Sequence, residues 1–199
     1  PLLTGASPVV SGSTAYLTLR DGQVIAFNVE TGDTEWAFQA ADAFFAPAVI
    51  HKGVVYAASW GGVVYALDAI DGRKLWTFET EGRIVAAPSF AGNLMAVAID
   101  DRLVYIVDII DAGKRLIYDA GNIIVESPVF AGDRLLVSTG KGRFVAIDPS
   151  KIEYSFERMA RYWRQQFFIW RMQEQLPVPK GHIWGRTLVR DTELSAPAV

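Results

Sequence analysis

The sequence predicts an all-β chain, a propeller of four-stranded antiparallel blades, carrying a C-terminal amphipathic helix and an extended tail. Three observations predict it. Asn28, Asp68, Asp108 and Asp148 recur 40 residues apart, each closing an apolar run. Pro8, Pro47, Pro88 and Pro128 keep almost the same step. Each interval divides into four short runs, β-branched or alternating, punctuated by Gly and Asp turn signals and nearly free of helical period. Four strands per unit of about 40 residues is a propeller blade signature, whereas solenoids of comparable period are helical.

The blades are expected over residues 6–40, 46–80, 87–120 and 127–156. In the first, a short strand before Gly12 leads into a second at residues 15–19. Asp21-Gly22 then supplies the positive φ that a tight hairpin needs. A third strand ends near Asn28, and Thr31-Gly32-Asp33 turns it into a fourth carrying Trp36. The second unit repeats this with Trp60-Gly61-Gly62, Asp71-Gly72 and Trp76, the third with Asp100-Asp101 and Ala112-Gly113. The fourth uses Gly140-Lys141-Gly142 and then departs from the pattern, with Pro149-Ser150-Lys151-Ile152 in place of the glycine turn. Each unit is a meander whose two faces are buried by its neighbours in the stack.

Beyond the last blade the period changes. Residues 157–176 read as a helix stopped by Pro177, which cannot continue the hydrogen-bond ladder. At 100° per residue, Met159, Trp163, Phe167 and Trp170 share one stripe, with Arg164 and Arg171 at its margins and Arg158 and Arg161 roughly opposite. Three roles fit that pattern: a helix packed on the propeller rim, an interfacial membrane helix, or a helix that docks a protein partner through tryptophan and arginine. Residues 177–199 read as an extended tail.

Composition narrows the function classes. A formal net charge of −3 gives no reason to expect nucleic acid, and no run is apolar and long enough to span a bilayer as a helix. The absence of cysteine excludes disulfides and thiolate metal sites, and His51 and His182 are the only imidazoles. The chain starts without methionine, as a mature product or an excised fragment would.

The phrases YALDAIDGRKLWTF and IAFNVETGDTEW resemble the tryptophan-docking repeat of pyrroloquinoline quinone-like β-propellers. That family includes eight-bladed quinoprotein alcohol dehydrogenases and non-catalytic scaffolds such as the lipoprotein of the outer-membrane β-barrel assembly machinery. The resemblance implies that Trp36 and Trp76 dock across blade junctions. An extra residue before Gly113 would put Ile117 at the corresponding place in the third unit, and Phe156 would hold it in the fourth. The resemblance also implies that these four blades are part of a larger, eight-bladed ring, completed by upstream blades or by a second copy. An open half-ring would expose two apolar blade faces.

The repeat-anchor side chains Asn28, Asp68, Asp108 and Asp148 sit at strand ends, where such side chains cap backbone N–H groups. They lie on separate blades, too far apart for paired acid–base chemistry. The family's quinone site would need an adjacent-cysteine pair, which this chain lacks, so no cofactor, metal or catalytic residue is expected. The reading is a non-catalytic, extracytoplasmic propeller scaffold for protein contacts. The alternative is the C-terminal part of a pyrroloquinoline quinone-dependent dehydrogenase. Expected contact residues are Trp60 at a hairpin tip and Met159, Trp163, Arg164, Phe167, Trp170 and Arg171 on the helix. The partners expected are proteins, with membrane-surface contact through residues 157–176 and self-association as further possibilities.

Overall fold

The computed structural model describes residues 6–124, 126–170 and 177–187, and they form four antiparallel four-stranded sheets. The first holds β1 (Val9–Ser11), β2 (Thr14–Thr18), β3 (Gln23–Asn28) and β4 (Thr34–Gln39), in that order from one edge to the other. The second holds β5 (Val49–His51), β6 (Val54–Ala58), β7 (Val63–Asp68) and β8 (Lys74–Glu79). The third holds β9 (Ser89–Ala91), β10 (Leu94–Ala98), β11 (Leu103–Asp108) and β12 (Gly113–Asp119). The fourth contains β13 (Val129–Ala131), β14 (Arg134–Thr139), β15 (Arg143–Ile147) and β16 (His182–Thr187). These are blades of a propeller, as the repeat predicts.

Alternation along the middle strands decides what each face buries. On β6 and β7, Ala57, Tyr65 and Leu67 turn back to Tyr16, Val24, Ala26 and Trp36 of the first blade. Tyr56, Ala58, Val64 and Ala66 turn forward to Met95, Val97, Tyr105 and Val107 of the third. The third blade's forward residues, among them Ala96, Val104, Ile106 and Leu116, meet Leu135, Val137, Val145 and Ile147 of the fourth. Three junctions therefore carry three buried clusters. Each fully buried branched side chain in them contributes about 1.5–3 kcal/mol over an exposed one.

Every fourth strand skips one residue in its pairing. Ala26 lies opposite Trp36 and Phe27 opposite Thr34; Ala66 faces Trp76 and Leu67 faces Lys74. The bulge aims the indole forward onto the next blade. This register corrects two sequence expectations. In the third blade Leu116, not Ile117, lies opposite Ile106, and Ile117 faces back to the second blade. No residue is inserted there: Ala112 itself takes the left-handed conformation, φ 53°, that Gly72 takes at 71°, so the 40-residue step is kept.

The second correction is larger. Phe156 does not hold the docking position of the fourth blade, because residues 152–156 are not its outer strand. That strand is β16, and Trp184 lies opposite Ala146 as Trp36 lies opposite Ala26. The backbone N–H of Asp148 donates to the carbonyl of Gly181 at 2.7 Å, as Asp68 does to Arg73 at 2.9 Å. Residues 149–180 thus replace a four-residue turn. They include α1 (Ser155–Ile169), so the helix is an insertion before the last strand rather than an appendage after the propeller. It begins earlier than residue 157 because the Glu157 carboxylate accepts from the Tyr154 N–H at 2.9 Å and caps the first turn. The expected helical residues 171–176 and tail residues 188–199 lie outside the described residues. Within the expected tail, residues 182–187 are strand.

Candidate contact surfaces

The repeated strand-end positions hold turns. Asn28 Oδ1 accepts from the N–H groups of Glu30 and Thr31 at 2.9 and 3.2 Å. Asp68 and Asp108 accept from Ile70 and Ile110 at 2.9 and 3.1 Å, and Asp148 from the Ser150 N–H at 3.0 Å. The Ser150 hydroxyl, at 2.6 Å, is the main reason the Asp148 carboxyl titrates below its ordinary range. With their oxygens engaged in this way, these side chains are turn formers.

Trp36 shows what docking means chemically. Its indole N–H donates to the Ala69 carbonyl at 3.0 Å, while the ring lies over Gly72 of the second blade. A β-carbon at residue 72 would stand 2.5 Å from Cε3 of Trp36. The turn's glycine makes room for the neighbour's tryptophan. Trp76 in turn packs against Tyr56 and the cluster shared with the third blade.

Trp60 stands at the hairpin end of the second blade, 36% exposed. Its ring meets Phe45 at 4.8 Å between centroids, and the guanidinium of Arg83 lies 5.2 Å from its centroid. Arg20 caps Phe45 at 5.2 Å, completing a short cation–aromatic ladder across the first three blades.

The inserted helix lies beside the outer strand of the third blade and touches it lightly. Its anchors are polar. Lys180 Nζ reaches both Glu157 oxygens at 2.7 and 2.6 Å, a contact that holds the Glu157 carboxyl below its usual range. The Arg161 guanidinium stands 2.6 Å from Glu153 Oε1, off the alignment of a good hydrogen bond; both side chains are largely buried. The Arg115 carbonyl accepts from the Glu153 N–H at 2.7 Å, tying the helix entry to β12. The aromatic stripe therefore faces solvent: Met159, Trp163, Phe167 and Trp170 are 61%, 49%, 39% and 58% exposed. Arg164 is exposed beside them, and Arg171 lies outside the described residues.

Between helix and blades lies a cavity of about 920 Å³ that sequence reasoning missed, because its walls come from blades three and four and the insertion. Arg102, Arg143, Arg161, Tyr118 and His182 share its polar wall with Glu81, Asp119 and Gln165, and Ile117, Met159 and Tyr162 form part of its apolar one. The Tyr118 hydroxyl meets His182 Nδ1 at 2.6 Å, the two rings nearly parallel. Burial pushes the phenol up to about 12, against the pull of the Arg143 cation. Burial first, then Arg143, holds the His182 imidazole below its ordinary value. Both groups are neutral near pH 7, and the imidazole tautomer sets which of the two donates. Among the described residues no group of three or more His, Asp or Glu side chains could hold a metal ion.

The fold and these surfaces have known counterparts. A family model described as outer membrane protein assembly factor BamB matches residues 42–151, more than half of the chain. The chain belongs to the BamB family. A comparison with the curated proteins finds no match. Among solved structures, BamB from Moraxella catarrhalis superposes with a TM-score of 0.65 at 20% identity, over 75% of this chain and 48% of that one. The computationally designed Ika4 protein superposes at 0.67 and 15% identity, over 73% and 90%. Quinohemoprotein alcohol dehydrogenase from Comamonas testosteroni superposes at 0.64 and 17% identity, over 77% and 34%. At these identities the structures show the fold alone. This BamB-family chain spans about half the length of the Moraxella protein. Of the quinone set that the resemblance implies, the chain has no cysteine pair, and among the described residues no group of three or more acids gathers. Among the described residues no helix is long and apolar enough to cross a membrane.

Proposed function

We propose that this chain is a non-catalytic scaffold of the bacterial cell envelope that helps assemble outer-membrane proteins, holding a protein partner on the exposed face of α1. Membership of the BamB family supports the assembly role and an extracytoplasmic location. The observation that carries the contact surface is the aromatic stripe itself. Trp163, Phe167 and Trp170 are held outward by a helix whose polar anchors, Glu157 and Arg161, leave that stripe unpacked. Large aromatics flanked by arginine are the usual energetic anchors of protein interfaces. The Arg20–Phe45–Trp60–Arg83 ladder offers a second contact point at the hairpin ends. A dehydrogenase reading is not favoured, because the family model that matches is that of an assembly factor.

The test is photocrosslinking in the native cell, with benzoylphenylalanine at position 163 or 170 and, as control, at the exposed Ile70. Discrete adducts with an outer-membrane assembly protein, absent from position 70, support the reading. Adducts only to lipid, or the same adducts from all three positions, refute it.

A further inference from the structure

The cavity beside Tyr118 holds an unpaired cation. Three guanidinium groups line it. Arg102 Nε stands 3.5 Å from Asp119 Oδ1, and the Arg161 guanidinium stands 2.6 Å from Glu153 Oε1. The half-buried Arg143 side chain, at the start of β15, makes no ion pair, hydrogen bond or ring contact among the described residues. Glu81, the other carboxylate on these walls, is exposed and does not pair with it.

Two residues that shape this spot depart from the repeat. Through the 40-residue step Arg143 is equivalent to Val63 and Leu103, aliphatic side chains packed against the junction clusters. The blade itself needs no charge there. Gly185 lies opposite Val145 as Thr77 lies opposite Tyr65 and Ile117 opposite Tyr105, so the fourth blade alone of these three lacks a side chain at that place. A β-carbon at Gly185 would stand 3.2 Å from Nη2 of Arg143 and 3.3 Å from its Nε. One at Gly121 would stand 3.6 Å from Nη1. The guanidinium thus occupies a slot between two glycines. Its charge acts, second to burial, on both the Tyr118 phenol and the His182 imidazole of the same wall.

We propose that this cavity binds a singly charged organic carboxylate with an apolar body. The Arg143 fork pairs the carboxylate, since a guanidinium presents parallel N–H donors matched to its two oxygens. The body lies against Ile117 in the wall and against Met159, Tyr162 and Val178, three apolar side chains more than half exposed without it. A volume of about 920 Å³ falls within the range of small-molecule sites, roughly 300–1,000 Å³. Asp119 and Glu81 stand on the same walls and repel a second negative charge, so a dianion such as a phosphate monoester fits poorly. The inference rests on the insertion packed beside blades three and four and not on the proposed function.

The test is isothermal titration calorimetry on the full 199-residue chain with decanoate, its uncharged twin decanamide, and decyl phosphate, all below micelle-forming concentrations. The expected result is saturable binding of decanoate at one site per chain, tighter than decanamide by about tenfold or more, with decyl phosphate weaker than decanoate. Arg143→Leu installs the residue that the third blade uses at this position, so its urea midpoint should match or exceed the parent's while the preference for the acid disappears. Gly185→Ala, whose methyl crowds the guanidinium without removing it, should lose most of that preference too. Trp163→Ala should change nothing, which separates the cavity from the exposed stripe of α1. No saturable decanoate binding, decanamide or decyl phosphate bound as tightly, or a preference for the acid retained in Arg143→Leu would each overturn the proposal. So would a lowered urea midpoint in Arg143→Leu, which would mark a structural cation, or a loss of binding in Trp163→Ala.

Discussion

Replacing Gly72 by alanine isolates the tryptophan lock. Two costs add at this position. The backbone sits at φ +71°, where an L side chain loses about 1–2 kcal/mol. A β-carbon would also meet Trp36 at 2.5 Å from Cε3, 2.6 Å from Cδ2 and 3.0 Å from Cγ. Trp36 cannot withdraw freely, because it is 8% exposed and its N–H is bound to Ala69. Overpacking of this kind costs about 1–3 kcal/mol. The sum for Gly72→Ala is about 2–5 kcal/mol. Gly53→Ala is the matched control: φ is +75° and nothing lies within 4 Å, leaving the backbone cost alone. Equilibrium urea unfolding of both variants, with slopes equal to the parent's, gives the difference directly. If Gly72→Ala costs no more than Gly53→Ala, the indole is not locked on the turn and the docking account fails.

Ala112→Gly should stabilise the chain by about 1 kcal/mol in the same assay, because Ala112 occupies a left-handed position, φ +53°, by itself. Arg161→Ala leaves the buried Glu153 carboxylate unpaired, a loss of about 3–5 kcal/mol. It should free the helix first, read as faster amide exchange over residues 155–169 with blades two and three unchanged. The burial of His182, with the Arg143 cation beside it, sets a pH dependence. Since the folded imidazole titrates below 6.5, its contribution is complete above pH 6.5 and is lost as pH falls through the lower folded value. Thermal unfolding should therefore be flat above that pH and drop below it, and His182→Gln should remove the His182 component of the drop.

The blades were readable because their period is a physical necessity: a sheet that stacks on copies of itself repeats its turns, its apolar alternation and its indole at fixed offsets. Two features escaped for the same reason, since contiguity and residue type are weaker guides than register. The third unit reads as carrying an extra residue because its glycine is displaced, although Ala112 fills the left-handed position. The fourth reads as ending at Phe156 when its last strand is sought next in the chain. Gly181 followed shortly by Trp184 was the available signal, a fragment of the repeat stranded beyond a helix. The cavity beside Tyr118 left no sequence signal, since Arg102, Tyr118, Arg143, Arg161 and His182 meet only once the insertion is folded against its neighbour.

The bond from Asp148 to Gly181 closes the fourth blade whatever lies between them. Lengthening that loop from 4 residues to 32 spans three doublings, an entropic cost of about 2 kcal/mol, while every ladder pair of β15 and β16 stays in place. The turn is in effect a mounting socket. Equivalent turns without an insertion stand at residues 29–32, 69–72 and 109–112, at the same end of each sheet, and the one at 69–72 also receives the Trp36 indole. A propeller of this kind can gain a recognition element at one blade with its ladder intact, provided that the new loop keeps whatever its turn gives the neighbouring blade, as Ala69 and Gly72 do for Trp36.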